Sequence, residues 1–227
     1  YGNTFAFKPK FIIKNEELIL LNNPINEFKK YSQYHKFLEH IQQHDYFYFK
    51  KFKRELIQFP YSISIFKNSK KNFYIIFWII TKSILSKFNK LPKKYEWKPM
   101  DLIMKINLES RIDLYSEKEP TTIFKKIIQE YIVFSQEKKF TPILIFLPQK
   151  DDLIFIKNNY HFYSSFLNYL KTQNNLFFID FVSFLINEPD LDLLYSDDNE
   201  YGGHMSALGN EKIASILYDK IIELNLL

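Results

Sequence analysis

Five consecutive apolar residues lie between two prolines in the stretch TPILIFLP, residues 141–148. A run this short, with no polar residue alternating in it, is typical of a β-strand that is buried on both faces. Strands of that kind occur mainly in parallel sheets, which helices cover on both sides. The run therefore predicts a central strand over residues 143–147.

The segments around this strand alternate between helix and strand. A helical apolar periodicity precedes it over residues 122–138, with a threonine cap at the start. A helix is predicted over 160–172, a second buried strand over 176–180 (LFFID), and a last helix over 206–224. This order predicts an α/β fold of three layers, α/β/α, with the two strands adjacent, parallel and covered by the 122–138 helix. Such sheets bind ligands beyond the carboxyl ends of their strands.

The first half of the chain has a different pattern. Two short β-runs around a polar turn predict a β-hairpin within residues 1–25. Residues 26–99 are rich in aromatics and lysine and predict a helical insertion, and residues 100–227 form the α/β part. The apolar run 73–80, FYIIFWII, is expected to be buried or held at an interface, since about eight consecutive apolar residues exposed to water would be an aggregation hazard.

The composition excludes several classes of protein. Hydrophobic residues make up 46% of the chain, which excludes a disordered tail, and the absence of cysteine excludes disulfides and thiolate metal sites. The net charge of +5 is spread along the chain without a nucleic-acid motif, so no nucleic-acid partner is expected. Steeply salt-dependent DNA or RNA binding would reverse that expectation. No transmembrane segment is expected, because run 73–80 is far shorter than the ~20 residues that a spanning helix needs.

One candidate functional residue stands out in DDNEYGGHMSALGNEKIA, residues 197–214. His204 follows two glycines in a chain that has only four. Ser206 is a predicted N-cap, and Gly209 lies in the first helical turn, where it costs about 1 kcal/mol relative to alanine. We expect another backbone to approach Gly209 closely. His204 would then face a cleft at the ligand-binding edge of the sheet, although a purely structural histidine is the alternative.

Two further groups are weaker candidates. His40 and His44 have a spacing that can place two metal ligands on one helix face. No motif supplies a third ligand, so solvated helix histidines are favoured and no metal is expected. Asp151 and Asp152 follow the first buried strand. They are either catalytic carboxylates or the polar start of a helix.

The stretch GGHMSALGNEKIA resembles the C-terminal histidine block of the SGNH (GDSL-like) hydrolases, a family of esterases and acyl-transferring enzymes. In that family the block is approximately His-x-Ser-x-x-Gly-Asn before an apolar helix, which His204, Ser206, Gly209 and Asn210 match. The segment FKPKFIIKNEELILLNNPI resembles the β-hairpin insertion of long members, and TPILIFLPQKDD and LFFID resemble the last two core strands. The resemblance implies a flavodoxin-like three-layer fold that carries a helical insertion.

The chain also departs from the family. The Gly-Asp-Ser nucleophile block does not occur in it, and neither does the Gly-x-Asn-Asp block that supplies oxyanion donors. The resemblance therefore implies a domain incomplete at its N-terminal end, which needs a complementary N-terminal segment or chain. The acid of the family stands three residues before the histidine, where this chain has Tyr201. Asp198 is the first choice for that role, and Asp197, Glu200 and Asp180 stay open.

The resemblance implies an esterase or acyltransferase that acts on a small-molecule or carbohydrate ester, for example an O-acetylated carbohydrate. His204 would be the general base and Asp198 the acid that orients it, without any cofactor. The alternative is a non-catalytic α/β binding or assembly module derived from the same family. Its interaction surface would be the aromatic-rich region 37–88.

Overall fold

The computed structural model describes residues 10–22, 59–88, 98–195 and 204–226. The chain divides into two compact units, Tyr1–Ile80 and Thr81–Leu227. The domain limits predicted at residues 25 and 99 stay predictions. None of the helices in the described ranges is long and apolar enough to cross a lipid bilayer.

A β-hairpin lies near the start of the first unit. Strands β1 (Lys10–Lys14) and β2 (Glu17–Leu21) pair in antiparallel fashion, with Lys14 opposite Glu17. Asn15 and Glu16 form the turn and have positive φ angles of 51° and 66°. Positive φ at both positions defines a type I′ turn, a two-residue hairpin turn whose twist matches the right-handed twist of the strands. The predicted hairpin is confirmed.

The next described residues, 59–88, are mostly helical. Helix α1 (Tyr61–Lys67) is followed by helix α2 (Ser69–Lys87), and the side-chain amide of Asn72 donates a hydrogen bond of 3.0 Å to the Ile65 carbonyl oxygen. Both helices belong to the region for which a helical structure was predicted. Residues 26–58 of that region, with His40 and His44, lie outside the described ranges.

The burial predicted for residues 73–80 is wrong for much of the run. Within α2 the side chains of Phe73, Ile76, Phe77, Ile79 and Ile80 are exposed. The physical reason is helical geometry, since consecutive side chains point about 100° apart and an unbroken apolar run cannot all face one packed side. An interface that covers these side chains stays a prediction.

The second unit contains seven helices within its described residues. They are α3 (Lys98–Ser116), α4 (Lys118–Lys138), α5 (Lys150–Asn158), α6 (Ser164–Lys171), α7 (Val182–Leu185), α8 (Leu191–Leu194) and α9 (Ala207–Glu223). Helix α4 begins four residues earlier than the predicted threonine cap at Thr122. Its first turn contains Pro120. A proline is tolerated there, because an N–H group in the first turn would have no carbonyl partner within the helix. The Thr122 hydroxyl instead donates a 2.7 Å hydrogen bond to the Lys118 carbonyl oxygen.

A pair of parallel strands crosses the second unit. Strands β3 (Ile143–Phe146) and β4 (Phe177–Asp180) pair with Ile143 opposite Phe177. This confirms the predicted adjacent parallel strands. Their predicted burial on both faces is wrong for the β3 segment, because Ile145 is 39% exposed and Leu147 53% exposed. Side chains alternate between the faces of a strand, so these two residues share one solvent-facing side.

The core of the second unit joins these strands to the helices. Ile128 of α4, Leu153 of α5 and Phe181 after β4 are buried in one cluster. The Phe146 ring stacks on the Tyr163 ring with centroids 5.6 Å apart, which links β3 to the segment before α6. Helix α4 and the strands contribute to the same core, and the direct packing of α4 on the strands stays a prediction. The unit is a mostly helical α/β structure, and the larger three-layer arrangement stays a prediction.

Candidate functional site

His204 precedes the last helix, α9, and the nearest described residue before it is the buried Tyr195. Met205, the next residue, forms an antiparallel bridge with Tyr195. Ser206 donates its backbone N–H to the Leu194 carbonyl oxygen at 2.9 Å and its hydroxyl to the Leu193 carbonyl oxygen at 2.6 Å. These bonds hold the backbone that follows His204 against the end of α8.

The start of α9 has the predicted cap. The Ser206 hydroxyl oxygen accepts the Gly209 N–H at 3.0 Å, so the same hydroxyl both donates and accepts. Gly209 is buried, and a β-carbon there would lie 2.2 Å from the Leu194 carbonyl oxygen. The predicted N-cap and the predicted close backbone approach at Gly209 are both confirmed.

His204 is exposed and contributes to the wall of an open cavity of about 380 Å³. The cavity is lined by Leu147, Pro148, Gln149, Tyr195, His204, Met205 and Asn210. The first three of these residues directly follow β3, so the cavity lies at the carboxyl end of that strand. Its volume falls in the range of about 300–1,000 Å³ that is usual for small-molecule sites.

Tyr195 fixes the wall of this cavity. Its side chain is 2% exposed, and its hydroxyl donates a 2.6 Å hydrogen bond to the Pro148 carbonyl oxygen. Burial raises the pKa of Tyr195, and the negative charge of Asp152 raises it further. The phenol therefore stays protonated at neutral pH and ties the segment after β3 to the segment before His204.

The acid that would orient His204 stays a prediction. Asp198, the first choice, lies outside the described ranges, as do Asp197 and Glu200. Asp180 is described, but its carboxylate serves other groups. Within the described parts of the chain, no carboxylate forms an ion pair or hydrogen bond with His204.

Asp180 instead lies beside a second histidine. One carboxylate oxygen accepts the Tyr163 hydroxyl at 3.1 Å and the Val182 N–H at 3.2 Å, and the other is 3.7 Å from Nε2 of His161. Burial, followed by the charge and hydrogen bond of Asp180, raises the pKa of Tyr163. No feature of the sequence singled out His161. Asp180, the carboxylate at the end of the predicted strand 176–180, was the one local signal for this pair of side chains.

Asp151 and Asp152 have different environments at the start of α5. Asp152 is buried and accepts two hydrogen bonds from Arg111, of 2.9 and 2.7 Å, and one from the Gln149 N–H at 2.9 Å. It therefore closes the first turn of α5 and ties it to α3. Burial raises the pKa of Asp151, and the Arg111 charge opposes that rise. Asp151 and Asp152 were predicted to be either catalytic carboxylates or the polar start of a helix, and the polar helix start fits Asp152.

No group of three or more metal-ligating side chains occurs among the residues that the structure describes. Of the described residues that line the cavity, His204 carries an imidazole, and Gln149 and Asn210 carry side-chain amides, with the Gln149 Oε1 itself buried. An imidazole can accept a proton from a hydroxyl group, and amides can bind a carbonyl or a sugar hydroxyl.

No family model matches this chain, and neither the curated proteins nor the solved structures contain a match to it. The resemblance of the histidine block to the SGNH hydrolases therefore stays a prediction.

Proposed function

We propose that this chain is the histidine-bearing C-terminal part of an SGNH-type esterase or acyltransferase. His204 is the general base, and the substrate is a small-molecule or carbohydrate ester, such as an O-acetylated carbohydrate. In this proposal β3 and β4 belong to the parallel sheet of a three-layer α/β/α domain of flavodoxin-like type. A complementary N-terminal segment or chain completes that domain.

One observation carries the proposal. His204 lies on a cavity at the carboxyl end of β3, and the residues that follow it are held by the Ser206 cap and the Gly209 contact. A base must be exposed to its substrate and yet fixed in position, because misplacement by about 1 Å can cost 10²-fold in rate. An exposed imidazole beside a buried, hydrogen-bonded backbone segment meets both needs.

The chemistry would proceed in two acyl-transfer steps. His204 accepts the proton of a serine hydroxyl, whose oxygen attacks the ester carbonyl carbon, and the protonated imidazole then gives that proton to the departing alkoxide. Water, or the hydroxyl of an acceptor, attacks the acyl-serine with the same proton transfers. Asp198 orients the imidazole in this scheme. In this scheme the serine belongs to the complementary segment, because the sequence contains no Gly-Asp-Ser block.

The test uses protein made from the complete reading frame and measures acetyl release from p-nitrophenyl acetate and from acetylated xylan. We expect His204→Asn to lower kcat by about 10²–10⁴-fold, the usual contribution of a general base. The matched control is His161→Asn, which removes the other described histidine and should leave kcat essentially unchanged. Equal losses in both variants, or full activity in His204→Asn, would contradict the proposal.

A non-catalytic binding module is the second candidate, and the lack of a Gly-Asp-Ser block in the sequence favours it. The enzyme would release acetyl groups from its substrate, whereas the binding module would bind the substrate without releasing them. Calorimetric binding of an acetylated oligosaccharide that His204→Asn weakens, with no acetyl release by the complete protein, would select the binding module. A Gly-Asp-Ser block encoded in frame before Tyr1, together with turnover, would select the enzyme.

A further inference from the structure

The first unit carries an exposed apolar surface on α1 and α2, here called the aromatic face. Its members are Phe59, Tyr61, Ile63, Phe66, Phe73, Ile76, Phe77 and Ile80, with exposed fractions from 37% at Ile76 to 85% at Phe59. Single exposed apolar side chains are ordinary, but a contiguous group of this size marks an interaction surface.

The aromatic face is continuous across the two helices. The rings of Phe66 in α1 and Phe73 in α2 meet edge to face, with centroids 5.8 Å apart. The hydrogen bond from Asn72 to the Ile65 carbonyl oxygen holds the helices in this arrangement. Among the described residues, these two contacts join the apolar side chains of α1 and α2 into one surface.

The charge of this segment has a single sign. Residues 59–80 contain Lys67, Lys70 and Lys71 and no aspartate or glutamate. Lys67 and Lys70 are exposed, and Lys70 lies on the same side of α2 as Phe73 and Phe77, at three- and four-residue spacing. The aromatic face thus has cations at one end, beside the start of α2, and apolar side chains beyond them.

These features select one kind of occupant. A second copy of the same face would place lysines against lysines, which costs free energy. In α2 the residues Phe73, Phe77 and Ile80 share one side of the helix with Lys70. A lipid headgroup layer binds aromatics at its boundary and lysines at its anionic groups, which matches this combination.

We propose that the aromatic face docks this chain on the surface of an anionic lipid bilayer. The rings of Phe66, Phe73 and Phe77 lie at the boundary between headgroups and acyl chains, and Lys67 and Lys70 contact lipid phosphates. The helices lie on the membrane and do not span it. This proposal is independent of the role of His204.

The experiment is vesicle flotation of the complete chain with phosphatidylcholine vesicles, with or without 30% phosphatidylglycerol. We expect binding to the anionic vesicles that weakens as salt rises, and little binding to the neutral ones. Phe66→Ser/Phe73→Ser/Phe77→Ser and Lys67→Glu/Lys70→Glu/Lys71→Glu should each lower the partition coefficient by at least about tenfold. The matched control Lys105→Glu/Lys157→Glu/Lys171→Glu makes the same charge change at exposed lysines of the second unit and should bind far better than the α1–α2 lysine variant.

A second measurement needs no change in the aromatic face. In Trp97→Phe, the remaining Trp78 should show a blue-shifted fluorescence on anionic vesicles and quenching by bromine-labelled lipid. Unchanged fluorescence, equal binding by the aromatic variant, or equal binding to neutral and anionic vesicles would overturn the proposal. So would a concentration-dependent dimer in analytical ultracentrifugation that the aromatic variant abolishes, since it would assign the face to a second copy.

Discussion

Gly209 carries no β-carbon at a place where the backbone of another segment leaves no room for one. A β-carbon would lie 2.2 Å from the Leu194 carbonyl oxygen and 3.2 Å from Sδ of Met205. That carbonyl oxygen is already fixed, because it accepts the Ser206 N–H. The position of His204 therefore depends on a residue that has no side-chain chemistry of its own.

We predict that Gly209→Ala destabilises the protein. Alanine would gain about 1 kcal/mol in helix propensity, but the clash with fixed backbone should outweigh this and leave a net loss of about 1–3 kcal/mol. Urea unfolding followed by circular dichroism measures the change. Glu211→Ala, an exposed position in the same helix, should shift stability by less than about 0.5 kcal/mol. A Gly209→Ala protein as stable as the parent would show that the Leu194 segment yields easily.

At the same scale, local chemistry explains which site residues could be predicted. The Ser206 cap and the Gly209 contact follow from a short motif, because capping involves residues three apart. His161 and Asp180 lie in separate segments, and only the packing of α6 against the strands brings them together. No periodicity or motif encodes such a pair. Asp198 stays a prediction.

At the scale of elements, one ion pair joins α3 to the start of α5. Arg111 donates through two nitrogens to a single carboxylate oxygen of Asp152, while the other oxygen accepts the Gln149 N–H. The Asp152 side chain is 7% exposed and that of Arg111 24%. Gln149 also lines the cavity of His204, so this pair supports the cavity wall from behind.

We predict that Arg111→Met costs about 3 kcal/mol, because it leaves a buried carboxylate without its cation. The double variant Arg111→Met/Asp152→Asn should lose clearly less, since no uncompensated charge remains. Denaturant unfolding of both variants and of Asp152→Asn gives the coupling energy. Lys98→Met removes an exposed ion pair of the same helix, with Asp101, and should cost less than about 1 kcal/mol. Equal losses for Arg111→Met and Lys98→Met would refute the argument.

The elements themselves were largely predictable, because a buried parallel strand and an amphipathic helix have distinct periodicities. The hairpin and the pairing of β3 with β4 are examples. The wrong predictions concern the exposure of apolar side chains to solvent. Ile145 and Phe77 are apolar and face solvent, and hydrophobicity alone cannot say which side of an element has a neighbour. The start of α4 was misplaced because Pro120 fits inside a first turn as well as before it.

At the scale of the second unit, two buried tyrosines, Tyr163 and Tyr195, and the partly buried Tyr115 lie around the carboxyl ends of the strands. Burial is the largest cause of a raised pKa in each of them, and it raises that of Tyr115 to about 12. The pKa values of Tyr163 and Tyr195 are raised further by Asp180 and by Asp152 respectively. All three phenols are neutral in the folded protein and have an ordinary pKa of 10.0 when exposed.

We predict that the second unit loses stability as pH rises above 10. The folded state keeps protons that the unfolded state releases, so this contribution is complete below pH 10 and falls through the window up to the raised values. Absorbance at 295 nm should show a late group of phenolates that ionises together with the loss of helical circular dichroism. In 8 M urea all tyrosines should ionise as one group. A late group that ionises while the helices stay intact would contradict this prediction.

The antiparallel bridge between Tyr195 and Met205 has a consequence for how such a site diversifies. The bridge holds Tyr195 and Met205 side by side, and contacts outside residues 196–203 anchor both. The Tyr195 hydroxyl donates to the Pro148 carbonyl oxygen, and the N–H of Ser206, next to Met205, donates to the Leu194 carbonyl oxygen. Doubling the length of any flexible loop with fixed ends adds only about 0.6 kcal/mol to the entropy of closure. Entropy therefore sets only a weak limit on the number of residues that join these two anchors, whereas the catalytic proposal restricts His204 and Asp198 among them. A lineage, or a protein engineer, can insert residues there and keep Met205 in the bridge.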